Sequence, residues 1–397
     1  MKVAIVIERF DPFGGGMERS TLQIAEELKH RGHAITIIAG SSTNAEAIDF
    51  PVVTVFKKRR RGAVSMLRFA RRVKGLLAEG DHDTSLSVTT MAPAAVVQPR
   101  AGTVRETLNR NIALRATAVG RAKKRAALAL SAKQRVMLAL ERRTLRDPMV
   151  RRFAAVSQYV AEQLTKLYGV DPSRIEVIPN AAAMPEVSDA QRAQWRTMVR
   201  KGFHIADDVP VFLFAALNPV LKGVNPLMHA TRELTDAGLP IVVMLAGYNR
   251  YTMQHQAASL GIREQVRFIG PTRKMAALYA AADVTVHPTF YDPSSKVVIE
   301  SLMMGVPAIS TTFNGASDFL TAPDGRARGR VLTDPGDVKA LAQAMRELAD
   351  DAERARCREA IGDLRDELSM KRHVDRLERV LEAAVGLPPS PPGRGPG

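Results

Sequence analysis

Apolar residues fall along this chain in two rhythms, one suited to strands and one to helices. Residues 2–7 (KVAIVI) form a short apolar run of the kind a buried strand uses, and the loop ERFDPFGGGMER follows it. Between residues 20 and 29, Leu22, Ile24, Ala25 and Leu28 recur at helical spacing. Gly32 supplies a helix stop, and residues 34–39 form the next strand pattern. Further strand patterns fall at 52–56, 86–88, 153–156 and 175–178. Strands alternating with helices in this way predict a parallel sheet covered by helices. Residues 105–146 break the rhythm with a long basic stretch that is helical in pattern and carries no strand signal.

A polar, helix-like connection at 189–200 leads into a second series. Its strand patterns are 211–216, 241–246, 266–269, 284–287 and 308–310, with helices at 224–236, 274–281 and 294–304. Two more helical patterns run from 337 to 348 and from 352 to 384. The fold class read from this order is α/β, with two doubly wound, Rossmann-like domains at residues 1–182 and 183–370. The first carries a basic helical insertion over residues 100–152, and the Pro/Gly-rich tail 387–397 (LPPSPPGRGPG) is expected to be disordered.

Charge sharpens this picture. The 397-residue chain has a formal net charge of +16. Residues 57–74 hold nine basic side chains and no acid, and residues 100–152 hold fifteen against three acids, Glu106, Glu141 and Asp147. Both blocks lie in the first half, which points to a phosphate-bearing partner, either nucleic acid or an anionic membrane surface. Residues 105–146 contain no aromatic side chain for base stacking, so no nucleic acid is expected. Leu108, Ile112, Leu114, Val119, Leu128, Leu130, Val136 and Leu140 interleave with the cations, a mixture suited to an amphipathic segment on a membrane surface. A solvated charged helix without a partner is the plainer alternative. A single cysteine, Cys357, and no apolar run near the ~20 residues needed to span a bilayer lead to the expectation of a cytoplasmic protein, peripheral at the membrane.

The best candidate chemistry lies in residues 287–310, HPTFYDPSSKVVIESLMMGVPAIS. This run opens at the carboxyl end of a strand pattern, where open α/β sheets bind ligands. Asp292 before Pro293 reads as a helix N-cap with proline in the first helical position. The N–H groups of Ser294, Ser295 and Lys296 would then form an anion site with the helix dipole behind them. Glu300 interrupts an apolar helical stripe, where a carboxylate needs a partner or ligand. His287 reads as structural, and Trp195 as packing for the connecting helix. Phe10 and Phe13 flank the glycine-rich loop, either packing beneath it or walling a pocket.

Asp292 and Glu300 enclose seven residues, and a GVP step follows at Gly305–Pro307. This resembles the E-x7-E signature of glycosyltransferase family 4, the retaining enzymes of GT-B architecture. The glycine-rich loop with Glu18-Arg19, the VIPNA run at 177–181 and Lys222-Gly223 agree with that family in order and spacing. Within the family, the PFGG loop and the basic insertion are most similar to the lipopolysaccharide-core glucosyltransferase type. The resemblance implies two domains facing across a cleft, a nucleotide-sugar co-substrate (a UDP-sugar before a GDP- or ADP-sugar), and no bound cofactor or metal. It assigns Lys222 to the diphosphate, Glu300 to the ribose, and Asp292 with the turn Ser294, Ser295, Lys296 and Val297 to the donor sugar and phosphates. Gly15 and Gly16 would let backbone approach the donor. Lys222 and Asp292 are the implied catalytic pair. The first domain would hold a glycan or lipid-linked acceptor, with Arg121, Lys123, Lys124 and Arg125 on the acceptor or membrane side, and a helix at 371–386 would return to it.

The chain departs from that pattern at instructive positions. Asp292 stands for the first glutamate, ALNPVL before Lys222 lacks the usual arginine, Ser295 and Ala181 replace glycines, and Lys296 stands where the family carries an apolar residue. Lys296 is therefore expected to replace the missing phosphate-binding charge. Two alternatives share the features: a GT-B sugar-nucleotide epimerase, and a basic membrane- or nucleic-acid-binding protein with a degenerate donor site.

Overall fold

A computed structural model describes residues 1–57, 62–115, 117–247, 250–362 and 364–387. The chain divides into two compact units, Met1–Pro179 with Met370–Gly397, and Asn180–Ser369. The basic residues 58–61 and all but the first residue of the 387–397 tail lie outside the described residues.

The first unit is built on seven parallel strands: β1 (Lys2–Phe10), β2 (Ala34–Ser42), β3 (Val52–Thr54), β4 (Thr84–Ser87), β5 (Val96–Val97), β6 (Arg152–Ala155) and β7 (Ile175–Val177). Their order is β3-β2-β1-β4-β5-β6-β7. Alternation along β1 explains the buried run, because successive side chains point to opposite faces of a sheet. Val3, Ile5 and Ile7 pack with Ile24 and Leu28 of the helix Gly16–His30 and with Val374, Leu377 and Leu381 of the helix Met370–Ala384. Ala4 and Val6 face Phe69, Val73 and Leu77 of the helix Ala63–Glu79.

The second unit holds β8 (Val211–Ala216), β9 (Val242–Gly247), β10 (Val266–Gly270), β11 (Val284–Val286), β12 (Ala308–Thr311) and β13 (Gly329–Leu332) in the order β10-β9-β8-β11-β12-β13, again all parallel. Phe212 and Phe214 pack with Leu227, Leu245 and Met345 on one face, while Leu213 and Ala215 meet Met244 and Tyr279 on the other. Trp195, on the helix Asp189–Gly202, packs half-buried against that second face.

Two expectations need correction, and two strands were not foreseen. The basic stretch is not one helix but three, Val104–Ala113, Ala118–Leu130 and Ala132–Leu145, all between β5 and β6. Thr117 and Ser131 cap the second and third, their hydroxyls accepting from Gly120 N–H and Gln134 N–H, so the chain restarts at each. The pattern at 352–384 splits into Asp351–Ile361 and Met370–Ala384, broken at Gly362, whose φ of +52° ends the first helix. Finally, β5 and β13 carry no signal that the sequence pattern revealed.

Candidate functional site

In each sheet the strand order reverses direction beside the first strand laid down, between β1 and β4 and between β8 and β11. Such switch points leave a crevice at the carboxyl ends of the strands. The loop after β8 carries Lys222 and the loop after β11 carries Asp292.

Backbone geometry holds these loops together. Gly223 has φ +85°, and a Cβ built there would lie 2.1 Å from the Pro288 carbonyl oxygen, so only glycine fits this approach. The Leu221 carbonyl accepts hydrogen bonds from Phe290 N–H at 2.9 Å and Thr289 Oγ1 at 3.2 Å. Lys222 Nζ is thereby set to donate to Tyr291 O at 2.8 Å and to the Asp292 carboxylate (Oδ2) at 2.7 Å. His287, buried at the end of β11 and stacked on Phe214, has Nε2 3.4 Å from the same carboxylate oxygen. Burial pushes the Asp292 carboxyl up, but Lys222 and His287 outweigh it and hold the group well below the usual carboxylate range. Burial pushes the His287 imidazole down, which favours its neutral form.

Asp292 is not the helix N-cap that its position before Pro293 suggested. The helix runs Lys296–Met303 with Ser295 at its N-cap and no side-chain cap. Asp292 instead closes a local turn, Oδ1 accepting from Ser294 N–H at 3.2 Å, and its own N–H bonds Phe313 O at 2.9 Å. Asn314 Oδ1 accepts from Ser295 N–H at 3.1 Å, and Asn180 Nδ2 donates to Ser294 O at 2.9 Å. The N–H groups of Ser294 and Ser295 are therefore taken by side chains, which removes two of the three donors expected of an anion site. Lys296 and Val297 are the first two helical residues there. Ser294 Oγ is buried without a hydrogen-bond partner among the described residues.

Glu300 does find a partner, one the sequence did not suggest. Tyr279, wholly buried on the helix Met275–Ala281, donates its hydroxyl to Glu300 Oε2 at 2.9 Å and lies 3.1 Å from Val297 O. Burial, with the Glu300 charge beside it, pushes that phenol far above its usual range. Asn314 and Tyr279 both lie outside the Asp292–Glu300 motif, and their roles come from tertiary packing alone.

In the first unit, Gly15 is the N-cap of the helix Gly16–His30, which starts a turn earlier than its apolar spacing suggests. Glu18 folds back over this start, accepting from Gly15 N–H at 2.7 Å and from Arg9 Nε at 2.5 Å. A Cβ on Gly14 would lie 2.6 Å from the Glu18 carboxylate and displace that side chain from the helix start, whereas a Cβ on Gly16 would meet nothing. Phe10 is buried in the core and Phe13 is exposed. Beside the loop, at the carboxyl ends of β1 and β4, lies a cavity of about 510 Å³ lined by Glu8, Arg9, Thr89, Thr90, Asn111 and Gln134 among others. Arg121, Lys123, Lys124 and Arg125 all sit on the helix Ala118–Leu130, which has no buried residue. Among the described residues no group of three or more His, Cys, Asp or Glu gathers as a metal site, and no helix is long and apolar enough to cross a membrane.

Two parallel, doubly wound α/β units with polar loops at both switch points define the GT-B class of glycosyltransferase fold. Residues 14–182 match the family model described as Glycosyltransferase Family 4, and residues 209–351 match that described as Glycosyl transferases group 1. The chain belongs to glycosyltransferase family 4. It is 21% identical over 348 residues to lipopolysaccharide glucosyltransferase WaaG of Escherichia coli, covering 87% of this chain and 89% of that one. A D-inositol 3-phosphate glycosyltransferase of Xylanimonas cellulosilytica is 32% identical over 208 residues, 49% of this chain and 48% of that protein. The chain spans about half the length of the inositol-phosphate enzymes it matches. Among solved structures, WaaG superposes with a TM-score of 0.75 at 19% identity over 96% of this chain and 99% of that chain. Anabaena HepE in complex with UDP and glucose gives 0.67 at 18% identity over 98% and 100%.

Proposed function

We propose that this protein transfers a glycosyl group, with retention, from a nucleotide sugar to a glycan or lipid-linked acceptor. The observation that carries the reading is the Lys222–Asp292 pair at the β8/β11 switch point, beside the start of the helix Lys296–Met303. Lysine and first-turn N–H groups together suit a diphosphate, and both would stabilise charge growing on the leaving group. When a donor enters, its phosphates compete with Asp292 for Lys222, and the freed carboxylate becomes an acceptor for sugar hydroxyls. Glu300, oriented by Tyr279, would accept two hydrogen bonds from the ribose. Lys296 would add the charge that ALNPVL lacks. Gly15 and Gly16 belong to the donor side of the first unit, with the open space at Gly16 suited to close approach of a ligand.

A UDP-sugar is the favoured donor, supported by the UDP and glucose held by HepE. The kinship with E. coli WaaG favours a lipopolysaccharide-like acceptor, reached at the inner face of the cell membrane. The exposed cations on the helix Ala118–Leu130 support the membrane part of this reading. Calorimetric titration of UDP-sugars tests it. A saturable site should appear, and Glu300→Gln should weaken it tenfold or more, since a hydrogen bond to a charged group is worth about 1.5–3 kcal/mol. Unchanged affinity in Glu300→Gln would remove Glu300 from the site, and no binding of any nucleotide sugar would end the reading.

A further inference from the structure

The three helices between β5 and β6 do more than display charge on their outer surface. With Lys74 and the turn at 146–148 they enclose a cavity of about 1010 Å³ in the first unit. That is at the upper end of the ~300–1,000 Å³ typical of small-molecule sites. Its lining has two chemistries. Leu108, Ile112, Leu128 and Leu138, each half-buried, supply an apolar part. Seven cations surround them, Arg105, Arg125, Arg135, Arg142 and Arg146 among them. The single acid, Asp147, is already engaged: Oδ2 pairs with Lys74 Nζ at 2.6 Å and Oδ1 accepts from Met149 N–H at 3.1 Å. Arg146 Nε is buried and has no hydrogen-bond partner among the described residues. Arginine side chains suit a phosphate, which they bind through charge-assisted hydrogen bonds.

An apolar lining alone would suit any hydrophobe, and a cationic rim alone any phosphate. Both on one cavity require a molecule with both parts. We infer that this cavity binds one phosphorylated lipid, its acyl chain against Leu108, Ile112, Leu128 and Leu138 and its phosphate against Arg142 and Arg146. This goes beyond adhesion of the helix Ala118–Leu130 to a charged bilayer, because Arg121, Lys123 and Lys124 line no part of the cavity while Arg125 does. The helix therefore carries two sets of side chains, Arg121, Lys123 and Lys124 clear of the cavity and Arg125 and Leu128 on its lining. Every lining residue belongs to the first unit, and none of them is a residue assigned to the donor.

The test uses the full chain and monomeric dihexanoylphosphatidic acid below its micelle concentration, followed by calorimetry. Saturable binding at one lipid per chain is expected. Inorganic phosphate, and the neutral dihexanoylglycerol, should each bind at least tenfold more weakly. Arg142→Gln with Arg146→Gln should weaken lipid binding at least tenfold, while Arg121→Gln with Lys123→Gln and Lys124→Gln should leave it unchanged and reduce only vesicle binding. The inference is overturned if the wild-type chain shows no saturable lipid site, if phosphate alone binds as well, or if the outward triple variant abolishes monomer binding. The wild-type comparison of three probes decides the matter even should a variant misfold. UDP-sugar titration of the same samples is expected to be unaffected, so loss of lipid binding and failure of the donor reading are told apart.

Discussion

Asp292 illustrates how one residue in a motif takes its role from neighbours that the motif does not include. Its spacing to Glu300 was legible in the sequence, as was Lys222 before a glycine. That Lys222 and Asp292 meet was not, because the contact depends on Gly223 passing tightly under Pro288. Gly223→Ala is accordingly expected to destabilise the chain by more than about 1 kcal/mol, as alanine does at positive φ, and to weaken donor binding. Thermal unfolding and calorimetry check both parts. The low carboxyl pKa of Asp292 has a signed consequence. A depressed folded-state pKa contributes stability that is complete above the unfolded value near ~4 and lost as pH falls below it. The melting-temperature gap between the wild type and Asp292→Asn should therefore narrow as pH drops from 6 towards about 3. A gap constant with pH would show that the ion pair contributes nothing. Tyr279 escaped sequence reading because a tyrosine in an apolar helix reads as core, which in part it is. Tyr279→Phe should loosen Glu300 and reduce donor affinity several-fold, with a smaller effect than Glu300→Gln; equal effects would contradict the orienting role.

Long strands and helices with strong periodicity were readable, and the short or polar ones were not. β1 and β8 have apolar runs dense enough to identify, whereas β5 has two residues and β13 alternates with exposed positions. The basic insertion looked continuous because arginine, lysine, alanine and leucine all favour helix, which hid the restarts at Thr117 and Ser131. One buried carboxylate ties two of its helices together. Glu141, wholly buried, accepts from Val104 N–H at 2.7 Å, from Arg105 N–H at 3.2 Å and from the Tyr168 hydroxyl, so it serves as a remote cap for the helix Val104–Ala113. Burial pushes the Glu141 carboxyl up, although these donors oppose the shift. Glu141→Ala leaves those donors unpaired at a cost of about 1–3 kcal/mol. Hydrogen exchange should accelerate across 104–113 with β8 to β13 unchanged. Uniform acceleration would mean that Glu141 supports the whole unit rather than the insertion.

At the scale of the molecule, charge and connectivity are the two features that composition and order already contained. The net charge of +16 is concentrated in the first unit, where each Lys or Arg near an anionic surface contributes roughly 1 kcal/mol of attraction. Neutralising Arg121, Lys123, Lys124 and Arg125 to glutamine should abolish binding to anionic liposomes at low salt without altering donor affinity. Persistent sedimentation with those liposomes would remove these four residues from the membrane side and favour a freely dissolved acceptor. Connectivity has a different outcome. The helix Met370–Ala384 supplies Val374, Leu377 and Leu381 to the core beneath β1, and Glu378 receives Arg31 and His33. These residues are the last to be synthesised of all those the first unit needs. At ~5–20 residues per second, roughly 10–40 s pass between emergence of β7 and emergence of this helix. During that interval the strands of the first unit are complete while the apolar groove over Val3, Ile5 and Ile7 lacks its cover. A nascent chain of this protein must therefore keep one half-finished sheet from aggregating while the entire second unit is made, and can seal it only once the helix Met370–Ala384 has followed.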